Sequence, residues 1–161
     1  MKTMTRFAVM SALALGLGLA QPVFAMGGGG APATAEPAKA DPNLDAAKKA
    51  IDAKNWTAAI PLLESVVAKD AKNADAFNWL GFAQRNNGNL PAAFDAYGKA
   101  LAIDPKHRGA HEYLGEAYLK ANDLPKAEEQ LKKLDSLCSF GCAEYTELKT
   151  KIAAYKAAKP S

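Results

Sequence analysis

Two cysteines and two histidines are the residues of this chain whose types and spacing could do chemistry. Cys138 and Cys142 flank the tripeptide Ser-Phe-Gly, and His107 and His111 are separated by one helical turn. A catalytic dithiol usually has two residues between its cysteines, at a helix start that follows a strand, and this pair has three. A tight glycine turn can instead bring two Cα atoms into the range of roughly 4.4 to 6.8 Å that a disulfide needs.

The alternative is a zinc site, which needs four ligands. The candidates are Cys138, Cys142, His107 and His111, and the histidine spacing suits one helical face. We favour a structural disulfide between Cys138 and Cys142, with no bound metal. A small metal or thiol carrier built on these residues is the alternative function.

Other catalytic patterns are not found in the sequence. It contains no Gly-x-Ser-x-Gly elbow and no His-Glu-x-x-His. Glu112 and Glu116 are one helical turn apart, a spacing that also suits a solvated face, and we expect these carboxylates to face solvent. The chain is therefore predicted not to be an enzyme, with no catalytic residues and no cofactor.

Composition narrows the class of protein further. The chain has 161 residues, 49% hydrophobic and 23% charged, which predicts one helical domain or a short repeat array and disfavours a disordered chain. Its 20 Lys and Arg against 17 Asp and Glu give a net charge of only +3. A nucleic-acid partner is not expected, since such proteins carry a strong basic face.

The segment from Met1 to Ala25 has the pattern of a secretory signal peptide. Lys2 and Arg6 precede an apolar run over residues 7 to 20, and residues 23 to 25 resemble a cleavage site before Met26. This run is shorter than the roughly 20 residues of a membrane span. We predict cleavage after Ala25 and no stable membrane insertion afterwards, with an uncleaved anchor as the alternative.

Residues 26 to 39 are rich in Gly, Pro and Ala, without an apolar period, and are predicted to form a flexible leader. A signal peptide of this type predicts a periplasmic protein. The disulfide fits such an oxidising compartment.

An internal repeat, with a period of about 34 residues, organises the remainder. It places residues 55 to 60 over 89 to 94 and 123 to 128, and Leu80-Gly81 over Leu114-Gly115. Three units follow: 40 to 73, 74 to 107 and 108 to 141. The middle unit has two amphipathic stripes at helical spacing, separated by a turn at residues 86 to 89, so each unit is predicted to be a helical hairpin.

These units resemble the tetratricopeptide repeat. The residues that carry the resemblance are Phe77, Leu80, Gly81, Ala93, Tyr97, Ala100 and Pro105 in the middle unit, Leu114, Gly115, Tyr118 and Ala127 in the third, and Ala59 and Leu63 in the first. The resemblance implies an all-α fold, a TPR-like α-solenoid with three helical hairpins. Residues 142 to 158 fall on the next first-helix position and are predicted to form a C-terminal capping helix, which such arrays require.

The resemblance also implies that a concave face, lined by the first helix of each hairpin, holds an extended peptide or a partner helix. The residues of this chain at such positions are Asn78, Trp79, Phe82, Arg85, Tyr113, Glu116 and Lys120. The alternative for Trp79, Phe82 and Tyr113 is that they pack between adjacent first helices or are covered by the leader or cap.

Some family members clamp a C-terminal carboxylate with Lys, Asn and Arg residues. Those positions here hold Leu44, Lys48, Trp79, Gly109 and Tyr113, of which only Lys48 is basic. That activity is therefore not expected. The sequence predicts instead an exported adaptor or scaffold of the bacterial cell envelope that binds a protein or peptide partner.

Overall fold

The computed structural model describes residues 41 to 139 and 141 to 159. The predicted signal peptide and leader lie outside these residues. The regular structure of the described part is all helical: α1 (Pro42–Asp52), α2 (Trp56–Lys69), α3 (Ala74–Asn86), α4 (Leu90–Ile103), α5 (Arg108–Lys120), α6 (Leu124–Leu137) and α7 (Ala143–Ala158). None of the described helices is long and apolar enough to cross a membrane.

Local sequence explains where each helix starts. The side chains of Asp41, Asn55, Asn73, Asn89, His107 and Asp123 each accept a hydrogen bond from a backbone amide in the first turn of α1 to α6, in that order. These contacts satisfy donors that have no partner inside the helix. Helix α7 has no side-chain cap, and its N-cap residue Cys142 is instead bonded to Cys138.

The turns inside the hairpins also repeat. Lys54, Gly88 and Asn122 occupy equivalent positions of successive units and have positive φ values of 55°, 89° and 60°. Only the middle unit uses glycine for this left-handed conformation, and the other two turns place Lys and Asn there. The hairpin geometry therefore recurs along the array although the residue type does not.

Gly81 determines how closely the two helices of the central hairpin, α3 and α4, pack against each other. A Cβ at Gly81 of α3 would lie 2.5 Å from Cε1 of Tyr97 on α4, and the Tyr97 ring is fully buried. Such a distance is far inside van der Waals contact, so the ring can occupy this site only because position 81 has no side chain. Ala93 and Ala100, also on α4, are fully buried.

A second glycine contact holds α7 against α5. A Cβ at Gly115 of α5 would lie 2.6 Å from Cδ2 of Leu148, which is fully buried on α7. Leu134 of α6 and Ile152 of α7 share that core. Helix α7 packs against both α5 and α6, as a further first helix would. The prediction of an all-α solenoid with three hairpins and a capping helix is confirmed.

The junction between α6 and α7 is closed by the predicted disulfide. The structure bonds Cys138 to Cys142, with their Cα atoms 5.7 Å apart. Gly141 between them has a positive φ of 82°. The short loop limits the stabilisation to about 2 kcal/mol by the chain-closure relation.

The array has an inner and an outer side. We call α1, α3, α5 and α7 the A helices, and α2, α4 and α6 the B helices. Helix α5 contacts both α3 and α7 directly, whereas no comparable contact joins successive B helices in the described part of the chain. The A helices α3, α5 and α7 are therefore closer together than the B helices, and the A side is the inner, concave face.

We predict opposite effects for two Gly→Ala substitutions. Gly81→Ala should lower the free energy of unfolding by about 1 to 3 kcal/mol, because the methyl group overlaps the Tyr97 ring. Gly98→Ala is the control, since a Cβ there meets no atom within 4 Å, and it should raise stability by about 0.5 to 1 kcal/mol. Urea denaturation measures both. Equal effects of the two substitutions would contradict a close contact at Gly81.

Candidate functional site

Four aromatic rings lie together towards the first half of the array. Trp56 starts α2, Trp79 and Phe82 are on α3, and Tyr113 is on α5. The Phe82 centroid lies 5.8 Å from that of Trp56, 5.9 Å from that of Trp79 and 4.9 Å from that of Tyr113. All four side chains are half-buried. This group, called the aromatic cluster below, packs between neighbouring helices and still presents apolar surface to solvent.

Arg85 joins the aromatic cluster to a set of charged groups. Its guanidinium carbon lies 5.3 Å from the Phe82 ring centroid and 5.6 Å from that of Tyr113, within the range of cation–π attraction. The side chain is buried and forms an ion pair with Glu116 on α5. The backbone carbonyl of Arg85 accepts a hydrogen bond of 2.9 Å from Lys120 Nζ.

Charged side chains then continue across α5 to the capping helix. Glu116 pairs with Arg85 on one side and with Lys151 of α7 on the other. Lys151 Nζ also lies 3.9 Å from Glu112 Oε1. Glu147 of α7 lies close enough to Glu112 for its carboxyl group to raise the pKa of Glu112. We call these five residues, Arg85, Glu112, Glu116, Glu147 and Lys151, the charged row.

Glu112 is the unusual member of the charged row. It is only 4% exposed, and its Oε1 has no hydrogen-bond partner. Burial raises the pKa of Glu112 from 4.5 to about 8, and the neighbouring Glu147 carboxyl group adds to this effect. The expectation that Glu112 and Glu116 face solvent is wrong, because α7 packs over this side of α5.

The structure connects six of the seven residues predicted to bind a partner. Trp79, Phe82 and Tyr113 contact one another through their rings, and Arg85, Glu116 and Lys120 continue from them. Asn78 is different. It is 5% exposed, its Oδ1 has no hydrogen-bond partner, and its amide faces the start of α5 at Gly109.

The sequence did not identify three other residues here. Trp56 was missed because it is on a B helix, and the prediction considered only A-helix positions. Glu147 and Lys151 were missed because α7 was predicted to act as a cap alone. Their positions at the next A-helix place could have revealed them, since the repeat period extends into α7.

The histidines do not gather with the cysteines. His107 Nδ1 accepts from the Ala110 amide at 3.1 Å, and its Nε2 donates to Asp75 Oδ1 at 3.0 Å. His111 Nε2 donates to the Pro105 carbonyl at 3.0 Å, and its Nδ1 lies 2.8 Å from the side-chain oxygen of Gln130. Among the described residues no group of three or more His, Cys, Asp or Glu could hold a metal ion. The metal-carrier alternative has no support in this arrangement.

The fold and the repeated hairpins define a helical repeat protein, and comparison with known families gives the type of repeat. Two family models, both described as tetratricopeptide repeat, match residues 44 to 108 and residues 85 to 152. Together they span the hairpins and most of α7. This part of the chain belongs to the tetratricopeptide repeat family, whose members generally act as scaffolds for protein interactions rather than as enzymes.

One curated relative is Tetratricopeptide repeat protein 1 of Schizosaccharomyces pombe, 27% identical over 107 residues. The match covers 60% of this chain and 10% of that protein, so the chain spans about a tenth of the relative's length.

Solved structures share the fold. The type III secretion chaperone SycD of Yersinia enterocolitica, in complex with a peptide of the translocator YopD, has a TM-score of 0.62 at 20% identity, covering 72% of this chain and 88% of that one. The first TPR domain of RPAP3, bound to the HSP90 peptide SRMEEVD, has a TM-score of 0.63 at 17% identity, covering 71% and 90%.

Glu112 should make stability depend on pH. Its folded pKa lies above its ordinary value, so folding favours the protonated carboxyl. The resulting stabilisation is complete below pH 4.5 and is lost as the pH rises through about 8. We expect Tm to fall between pH 5 and pH 9 in the wild type and to fall less in Glu112→Gln, as measured by thermal unfolding. The exposed Glu128→Gln should behave like the wild type, and an unchanged pH dependence in Glu112→Gln would contradict this assignment.

Proposed function

We propose that this protein is an exported adaptor of the bacterial cell envelope, which holds an extended segment of a partner protein against its concave face. The observation that carries the proposal is the half-buried aromatic cluster, whose Trp79, Phe82 and Tyr113 lie on A helices and are continued by the charged row. Aromatic residues and arginine are the side chains that most often anchor protein contacts. A curved surface of this kind binds without catalysis, as the family generally does.

The solved relatives support a peptide as the partner. SycD and the RPAP3 domain are both described with bound peptides. The HSP90 peptide SRMEEVD is acidic near its C-terminus. The A helix α5 carries the carboxyl groups of Glu112 and Glu116 on this face, and the cationic Arg85 is already paired with Glu116. The ligand of this chain is therefore proposed to be of another chemical class.

The envelope location rests on the N-terminal sequence. Its basic start, apolar run and small residues before Met26 favour export and cleavage. The paired cysteines are consistent with an oxidising compartment, because cytosolic thiols are kept reduced. After cleavage we propose a protein with no stable membrane insertion and no nucleic-acid partner.

Crosslinking in living cells tests the concave face. A photoreactive amino acid at position 120, on an A helix beside Arg85, should form an adduct with a discrete partner protein. The same group at position 132, on the B helix α6, should not. Both positions hold exposed lysines, so the comparison changes the side of the array and little else.

The adduct from position 120 should require the aromatic cluster. Trp79→Ala is expected to lower its yield about thirtyfold, since truncating an anchor ring commonly costs about 2 kcal/mol. Phe94→Ala is the control, because this half-buried ring lies on α4, outside the aromatic cluster. Its centroid is 5.0 Å from that of the Tyr118 ring. Equal adducts from both positions, or equal losses in both ring variants, would refute a concave binding face.

Mass spectrometry of the protein recovered from cells tests export and oxidation together. We expect a mature chain that begins at Met26, with a mass about two units below that of the reduced form owing to the Cys138–Cys142 bond. An intact N-terminus starting at Met1 would contradict cleavage. Free thiols in the native protein would contradict the disulfide.

A further inference from the structure

The charged row has one more carboxyl group than it has cations. Arg85 and Lys151 both pair with Glu116, which is thereby fully compensated. Glu112 and Glu147 share only the more distant contact of Lys151 with Glu112, at 3.9 Å. Three carboxyl groups therefore face two cations, and the deficit falls on the Glu112–Glu147 pair. Lys120 does not correct it, since its ammonium donates to the Arg85 carbonyl.

Glu112 supplies an independent sign that a partner is missing. Buried polar atoms are nearly always hydrogen-bonded, and leaving one unpaired costs free energy. Among the described residues, Glu112 Oε1 is buried and has no hydrogen-bond partner, and its only ion-pair contact is Lys151 Nζ at 3.9 Å inside the charged row. The Glu147 side chain beside it is exposed. The site therefore has an exposed carboxylate at its edge and an unsatisfied carboxyl behind it.

The neighbouring surface is apolar. Tyr113 follows Glu112 directly on α5, and its ring packs against Phe82 and Trp79. A chain lying in the concave face would thus meet aromatic rings on the α3 side and carboxyl groups on the α7 side. Charge complementarity at the second position requires a cation.

We propose that the Glu112–Glu147 pair anchors a lysine or arginine side chain of the bound segment, next to an apolar residue on the aromatic cluster. This inference rests on the proposed function, since it names the chemistry of the ligand of that same face. At neutral pH the incoming cation replaces the proton that the carboxyl pair holds. The ligands are accordingly basic and aromatic or aliphatic segments.

Selection from a random dodecapeptide library displayed on phage tests the proposal, because it requires no known partner. Immobilised wild-type protein should enrich peptides that combine an apolar residue with Lys or Arg. Glu147→Gln should retain the apolar enrichment and lose the basic one. Glu128→Gln is the matched control, an exposed glutamate on α6 that pairs with Lys156, and it should select as the wild type does.

The outcomes separate the two proposals. Apolar enrichment with no preference for Lys or Arg, or with a preference for acidic residues, would overturn the basic anchor and leave the concave binding face standing. Selection of the same peptides by wild type and Trp79→Ala, or of none by the wild type, would overturn both.

A selected peptide then allows the contribution of its basic residue to the affinity to be measured. Replacing its basic residue by norleucine should weaken its binding to the wild type about tenfold, which is the loss expected for one charge-assisted hydrogen bond. The same replacement should hardly change its binding to Glu147→Gln. Calorimetry at pH 7 in phosphate and in Tris should detect a proton released on binding. Glu112→Gln should abolish that release, and a release that persists in this variant would contradict the exchange of a cation for the shared proton.

Discussion

The spacing between helices in this array depends on side chains seated against glycines. The Tyr97 ring lies where a Cβ of Gly81 would be, and Leu148 lies where a Cβ of Gly115 would be. A helical hairpin cannot bury its apolar face alone, so each must be covered by the next. The first of these contacts closes a hairpin, whereas the second fastens the capping helix to it. The same small residue in two consecutive units therefore fixes both the hairpin and the end of the stack.

The position of the capping helix then decides the charge of the inner face. Seated by Leu148, α7 brings Glu147 and Lys151 against Glu112 and Glu116 of α5. Removing charges from water is costly, and only good pairing offsets this cost. Glu116 obtains such pairing from Arg85 and Lys151, and Glu112 does not. The cap thus closes the core and also buries a carboxyl oxygen of Glu112 without a hydrogen-bond partner in the described part of the chain.

The fold was largely predictable because its determinants are local and periodic. Gly81 and Tyr97 lie at family positions, and the N-caps Asn55, Asn89 and Asp123 occupy equivalent places in successive units. Residue patterns of this kind act over one helical turn or one hairpin, which a linear sequence displays directly. The left-handed turns at Lys54 and Asn122 were not predicted, because their residue types do not demand that conformation.

The candidate site was predictable only in part. The period placed Trp79, Phe82 and Tyr113 on one side of the array, but it could not show that they contact one another or that Trp56 joins them from a B helix. The spacing of Glu112 and Glu116, one helical turn apart on α5, also indicated a solvated face. By itself, the sequence determined the helices, their pairing and the side that each residue occupies. Tertiary structure alone decided which charges meet and which are buried. The reason is that burial and charge pairing depend on neighbouring helices that are distant in sequence. They also depend on how closely a glycine allows two helices to approach.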